Sequence, residues 1–197
     1  MTNETPSDAA PDVRERLAAF LAGRTEDRIF RHPIGHPSSP SGFCQCDGCA
    51  LEVLRLYVRG ALMKLAMHQP FNSVRVWMLR RVGVKIGRNV FVSVGVLIDP
   101  VYPQLVTIED DVLIGTEARL MTHEFRMTEF RAGKVIIRRR AVIGGFSLIA
   151  PGVEIGEGAE VAGAAVVAVD VPADTIATGN PAFIWKRNRK NAEAPHE

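Results

Sequence analysis

Between Ile137 and Val171 the chain keeps a period of six. Ile137, Ile143, Ile149, Ile155, Val161 and Val167 fall at one phase. Four residues further on each time come Ala141, Ser147, Val153, Ala159, Ala165 and Val171, all small or aliphatic. Gly144, Gly156 and Gly158 punctuate the spaces between. An amphipathic helix repeats its apolar residues near every 3.6 positions and a strand every 2, so neither accounts for six. What does is a short extended segment that bends and repeats, stacked on its neighbours. Three such segments close one turn of a hollow triangular prism, so about eighteen residues make a coil. Coils stack at the strand spacing of about 4.8 Å, which lines equivalent residues up in ladders. The branched residue of each hexapeptide is then expected to fill the interior. The second-phase residue lies near a bend, where little room is left.

The same phase extends upstream. Ile86, Val92 and Ile98 are six apart, and so are Ile108, Ile114 and Leu120. From Ile98 to Ile108 is ten, which is six plus a four-residue insertion in a stretch holding Pro100 and Pro103. From Leu120 to Ile137 is seventeen, which is six plus eleven. With these two insertions as outward loops, twelve hexapeptides stay in phase as four coils over residues 84–171. The expected class is mainly β, a parallel β-helix. Long loops on a regular scaffold are where function is usually carried.

The flanks are different. Residues 1–10 are polar, with Pro and Ser, and are expected to form a disordered tail. Residues 11–83 read as an N-terminal region of helices and loops. A short helix opens at Pro11-Asp12 and stops at Gly23, and residues 24–49 are irregular. A second helix runs from Ala50 to about Met67. A third, capped by Asn72 or Ser73, runs through Arg81 and ends at Gly83. On the second helix Leu51, Leu54, Val58, Ala61, Leu62 and Leu65 form an apolar stripe, with Arg55, Arg59 and Lys64 opposite. A basic amphipathic helix of this kind can lie on a membrane. The preferred reading is a cap over the open first coil, whose strand edges would otherwise be bare, with no membrane contact.

Residues 172–197 form a C-terminal extension, in which Ile184 and Trp185 are available to cover the last coil. A basic run of Lys186, Arg187, Arg189 and Lys190 follows. At 197 residues the chain accommodates one repeat domain with appendages, and a net charge of +2 gives no argument for nucleic acid. The start lacks the features of a signal peptide, and no run of about twenty uncharged apolar residues is present, so a cytoplasmic protein is expected. Cys44, Cys46 and Cys49 form a CxCxxC. Three thiolates can bind metal, but zinc sites use four ligands at other spacings, so these read as free thiols and no metal is expected.

"IGRNVFV", "VTIEDDVLIG", "AVIGGFSLIAPGVEIGEGAEVAGAAVV" and "VPADTIATGNPAFI" resemble the hexapeptide-repeat acyltransferases. The likeness is strongest to the sugar O-acetyltransferases of the maltose and galactoside kind, and covers about residues 72–186. "MTH" before the long insertion and the closing "GNP" carry the functional part of it. The resemblance implies a left-handed prism. Handedness comes from the family alone, since nearly all parallel β crossovers are right-handed. It also implies a homotrimer with an active site in each cleft between subunits, and acetyl or another acyl coenzyme A as co-substrate.

Acyl transfer from a thioester needs a base for the acceptor's proton, donors for the tetrahedral oxyanion, and a grip on coenzyme A. Of His32, His36, His68, His123 and His196, only His123 lies within the repeats. It sits three residues after Leu120, at the lip of the eleven-residue insertion, where the family keeps its base. Glu117 or Glu124 could orient the ring. By the same resemblance, Gly145 N–H meets the thioester carbonyl, and Asp99 and Glu124 fall to acceptor binding. Gly145, Gly163, Ala168, Phe183 and Lys186 fall to coenzyme A. A bend glycine and a turn-forming aspartate are the competing readings of Gly145 and Asp99. Relatives often carry Thr-Lys at Ala168-Val169 and Arg at Phe183, so Phe183 would have to stack on adenine and Lys186 supply charge.

The function expected is transfer of an acyl group from coenzyme A to a hydroxyl of a sugar or glycosylated small molecule. The alternatives are N-acyl transfer to an amino sugar and a silent repeat scaffold. A zinc hydratase needs three histidines per metal, and the repeats offer one.

Overall fold

The structure is a computed structural model and describes residues 13–33 and 50–186. The tails, and the segment with the three cysteines and His36, lie outside the described residues. Three helices come first or nearly so: α1 (Val13–Leu21), then strand β1 (Ile29–Pro33), then α2 (Ala50–His68) and α3 (Asn72–Arg81). The first coil is β2 (Lys85–Ile86), β3 (Phe91–Val92) and β4 (Leu97–Ile98). The second is β5 (Val106–Ile108), β6 (Leu113–Ile114) and β7 (Arg119–Leu120). The long insertion then supplies β8 (His123–Phe125) and β9 (Glu129–Gly133). The third coil is β10 (Val135–Ile137), β11 (Val142–Ile143) and β12 (Leu148–Ile149), and the fourth β13 (Glu154–Ile155), β14 (Glu160–Val161) and β15 (Val166–Val167).

These strands stack as three parallel faces. One is β13-β10-β5-β2 and another is β15-β12-β7-β4. The third is β14-β11-β6-β3, extended by β16 (Thr175–Thr178) and β17 (Phe183–Lys186). The register pairs Ile108 with Ile137 and Ile137 with Ile155, each on the next coil. All six first-phase residues from Ile137 to Val167 are at most 1% exposed, and the second-phase residues are buried beside them. Because the coil axis is perpendicular to the strands, a ladder of branched side chains fills the narrow interior. Each fully buried aliphatic contributes roughly 1.5–3 kcal/mol.

The winding runs past the repeat. Val171 bridges to Ile155, and β16 pairs parallel with β14, so a fifth coil begins beyond Val171. Antiparallel β17 then closes that sheet. Ile184 and Trp185 therefore prolong a sheet edge and stay exposed; they do not cover the last coil as expected.

Neither insertion is a plain outward loop. The eleven-residue one folds as the β8–β9 hairpin, and β9 pairs antiparallel with β1, which the sequence reading left within an irregular stretch. Phe130 and Ala132 on β9 bury against Phe30, Phe20 and Leu17, together with Tyr102 and Leu105 from the four-residue insertion. A second small core thus fastens both insertions to α1.

At the other end, α2 and α3 cover the first coil, as a bare strand edge demands. Asn72, expected as a cap, does something else. Its amide donates to the Val90 carbonyl at 3.0 Å and accepts from Val92 N–H at 3.0 Å. Arg75, buried, donates to the Val92 carbonyl, and Arg80 to the carbonyls of Ile86 and Gly87. Side chains of α3 therefore complete the hydrogen bonding of the open edge. The covering apolar residues are Met63 and Ala66 on α2 and Val76, Met78 and Leu79 on α3. The expected stripe is not the covering face: Leu54, Val58, Ala61 and Leu65 are exposed, and only Leu62 packs partly on the core.

Candidate active site

Stacking brings two distant residues together. Ile98 pairs with Leu120 across one coil spacing, so the residue after Ile98 lies beside the turn that follows Leu120. That residue is Asp99, and its side chain is 1% exposed. Oδ1 accepts from Val101 N–H at 3.0 Å, the turn an aspartate forms two residues on. Oδ2 accepts from the N–H groups of Thr122 at 3.1 Å and His123 at 3.2 Å. The same oxygen takes a short hydrogen bond from His123 Nδ1.

Asp99 thus holds the histidine ring; it does not reach an acceptor, because both its oxygens are taken by the protein. The roles expected of Glu117 and Glu124 as ring partners do not fit either. Glu124 Oε1 is held by Arg131 at 2.6 Å and Arg126 at 3.0 Å, so the carboxylate is turned to these arginines and not to the ring. Glu117 stands at the bend before β7, at the far corner of the face.

The ring is walled by aromatics. Tyr102 meets it edge-on with centroids 5.7 Å apart, Phe125 edge-on at 5.9 Å, and Phe130 at 6.2 Å. These three come from the two insertions. The sequence reading missed them, because their only signal was membership of the same two breaks in the repeat. The His123 side chain keeps 21% exposure, so one edge of the ring still meets solvent. Burial pushes the Asp99 carboxyl up. The hydrogen bond and charge of His123, and the N–H groups of Val101 and Thr122, outweigh that and hold it below the usual carboxylate range. Asp99 is therefore ionised at neutral pH. It fixes the tautomer with Nδ1–H toward itself, which leaves the Nε2 lone pair free to take a proton.

The other expected positions divide into groups. Gly145 lies three residues before β12 and His123 three residues after β7, its partner strand, so within one chain they sit at opposite corners of one face. Gly145 and Gly163 do come together, since Ala164 N–H donates to the Gly145 carbonyl. Glycine at this corner also has a packing cause: a Cβ on Gly144 would lie 2.5 Å from Gly163 N, and one on Gly145 2.9 Å from Thr116 O. Ala168 follows β15 and is exposed at the corner nearer His123, two coils along. Phe183 and Lys186 are both exposed on β17, but three positions apart on a strand they point to opposite faces. Lys186 therefore stands on the other face of the strand from Phe183. Among the described residues no group of three or more His, Cys, Asp or Glu is placed to hold a metal.

Comparison with known proteins gives a consistent class. No protein-family model matches the chain. YvoF of Bacillus subtilis (strain 168), which carries a provisional acetyltransferase name, is 29% identical over 171 residues, 83% of this chain and 97% of its own. A hexapeptide-repeat acetyltransferase of Vibrio cholerae O1 biovar eltor, solved with acetyl coenzyme A, superposes with a TM-score of 0.60 at 25% identity. It covers 72% of this chain and 93% of its own. A galactoside acetyltransferase solved with coenzyme A shares the fold, with a TM-score of 0.61 at 20% identity over 77% of this chain and 90% of its own. Together with the repeat, these likenesses make the chain similar to hexapeptide-repeat acetyltransferases, with acyl coenzyme A as co-substrate.

Proposed function

We propose that the chain transfers an acetyl group from acetyl coenzyme A to a hydroxyl of a sugar or glycosylated small molecule, with His123 as general base. The observation that carries this reading is the hydrogen bond of His123 Nδ1 to the buried Asp99 carboxylate. In the proposed mechanism Nε2 takes the proton of the acceptor hydroxyl as its oxygen attacks the thioester carbonyl carbon. The tetrahedral oxyanion collapses, the C–S bond breaks, and the imidazolium returns its proton to the leaving thiolate. Asp99 stays ionised and stabilises the imidazolium while it exists.

Gly145 enters this scheme as an oxyanion donor only from a neighbouring copy, because its own chain holds it across the face from His123. A homotrimer of left-handed prisms is the assembly the sequence resemblance implies, and it is part of the proposal together with the cytoplasmic location expected from the sequence. The sugar class rests on that resemblance, and the galactoside enzyme with the same fold is consistent with it. Gly163 and Ala168 stay in the proposal as lining of the coenzyme A path, with Phe183 at its end.

The test is thiol release from acetyl coenzyme A over a panel of sugars, glycosides and amino sugars, with mass spectrometry of the products. An acetylated hydroxyl, formed by the wild type and not by His123→Ala, supports the reading. Acetyl transfer to amines alone would replace it with N-acyl transfer. No release with any acceptor would leave the silent scaffold.

A further inference from the structure

Helix α2 has two apolar faces. One, through Met63 and Ala66, is buried on the first coil. The other runs along Leu54, Val58, Ala61 and Leu65, a spacing of three or four that keeps them on one side of a helix. This side points away from the protein: Leu54 is 57% exposed, Val58 51% and Leu65 53%, and Tyr57 beside them 73%. On the wheel, Arg55 flanks this row on one side and Lys64 on the other, both exposed. Helix α3 continues the theme with exposed Val74 and Trp77, the latter 55% exposed under the Arg81 guanidinium, and Phe71 stands exposed at the joint. An apolar surface of this extent on a soluble face calls for a partner.

Charge decides which. Residues 51–90 hold eight Lys and Arg and a single acidic residue, Glu52, whereas the whole chain holds 24 and 22. The rest of the chain is therefore net acidic; within this stretch Arg75 is buried and Arg88 pairs with Asp110, which leaves Arg55, Lys64, Arg80 and Arg81 as exposed charges on the helices. A second copy docked face to face would set Arg55, Lys64, Arg80 and Arg81 against like charges with almost no acid to answer them. An anionic bilayer answers them all. Its negative surface attracts Lys and Arg, and its acyl boundary receives leucine and valine. Tyrosine and tryptophan suit the headgroup level, where a ring can be half apolar and half wet.

We propose that the outward face of α2, with Val74 and Trp77 of α3, docks the protein on an anionic phospholipid surface. This reverses the sequence expectation of no membrane contact. The reason is that the cap is made by the other face of the helix, so capping and membrane docking do not compete for the same residues. No described helix is long and apolar enough to cross a membrane, so the contact is peripheral. It does not depend on the acyl-transfer reading, and His123 lies outside the docking face.

The experiment is flotation of the full chain with vesicles of phosphatidylcholine containing about 30% phosphatidylglycerol, against pure phosphatidylcholine. Binding to the anionic vesicles is expected to exceed the other by about tenfold or more, and to fall as salt is raised to about 0.5 M. Val58→Glu with Leu65→Glu should reduce binding by about tenfold or more and leave the thermal midpoint unchanged, because both side chains are already in water. His123→Ala should float like the wild type. No partition onto anionic vesicles overturns the proposal, and so does equal binding by the double variant. A double variant that breaks up an oligomer, with no vesicle binding by the wild type, assigns the face to a second copy instead.

Discussion

The wall of the prism and the hairpin that leaves it place their residues by different means. In the wall, each hexapeptide commits one aliphatic residue to the interior, and the coil above and below holds it in register. The same contact is made again one coil along, so position follows from the repeat. In the hairpin nothing repeats. β8 is held by β9, β9 by β1, and all three by a second core made from residues about a hundred positions apart, such as Phe20 and Phe130. The wall supplies stability in many equal parts. The hairpin supplies one ring at one angle, and Asp99, a wall residue, is the point where the two meet.

The largest expected effect falls on the hairpin side. His123→Ala should lower kcat by about 10²–10⁴, the usual cost of a lost general base, while the thermal midpoint changes little. Three backbone N–H donors still satisfy Asp99 after the ring is gone, so no bare buried charge is left. A variant that keeps a tenth or more of wild-type kcat with saturating acceptor would remove His123 from the base role.

Asp99→Asn tests the joint between the two regions. Loss of the carboxylate frees the tautomer and withdraws the charge that stabilises the imidazolium, so kcat should fall by about 10²–10³, with the Kd for coenzyme A unchanged. A mutant that raises the acceptor KM and keeps kcat would make Asp99 an acceptor-binding residue after all.

A wall substitution should show the opposite pattern. Ile149→Ala removes a fully buried ladder residue and should destabilise the fold by about 2–5 kcal/mol, read from urea unfolding. Its kcat per folded molecule should stay near wild type. A large kcat loss at unchanged stability would mean that wall and site are coupled more closely than the packing implies.

The smallest effect is in acid. Asp99 is depressed despite burial, and Glu109 in the wall shows the same direction, with burial opposed by hydrogen bonds and charge from Arg138 and Arg139. A carboxyl with a lowered folded pKa stabilises above its unfolded value, near 4 for free side chains, and that stability is lost as pH falls through the folded value. Stability should therefore drop on acidification below about pH 4. Asp99→Asn should flatten the slope and leave the part due to Glu109. An unchanged slope would mean that the Asp99 network persists when protonated.

The difference between the regions also sets what could be read in advance. Period six, the phase kept across both breaks, and His123 at the lip of the longer one were all in the chain order. Ile149 had to be inside because every sixth residue was. Asp99 is visible in sequence as a residue of interest, but its contact with His123 is not. Its neighbour in space is one coil away, twenty-four positions along, and an insertion between coils hides that adjacency. The stripe on α2 is legible as a stripe but its direction is not, because a helix with apolar residues on two faces has no single direction in sequence.

By itself the sequence determined the architecture: a repeat makes local and long-range contacts the same thing, so a pattern in one dimension becomes a ladder in three. It also marked the histidine, since a departure from a regular pattern is easy to see. Only the tertiary structure decided what holds that histidine, which aromatic rings wall it, and which face of α2 is left in water. Those depend on how non-repeating segments cross one another, and a single side-chain direction there is set by packing from residues that no period connects.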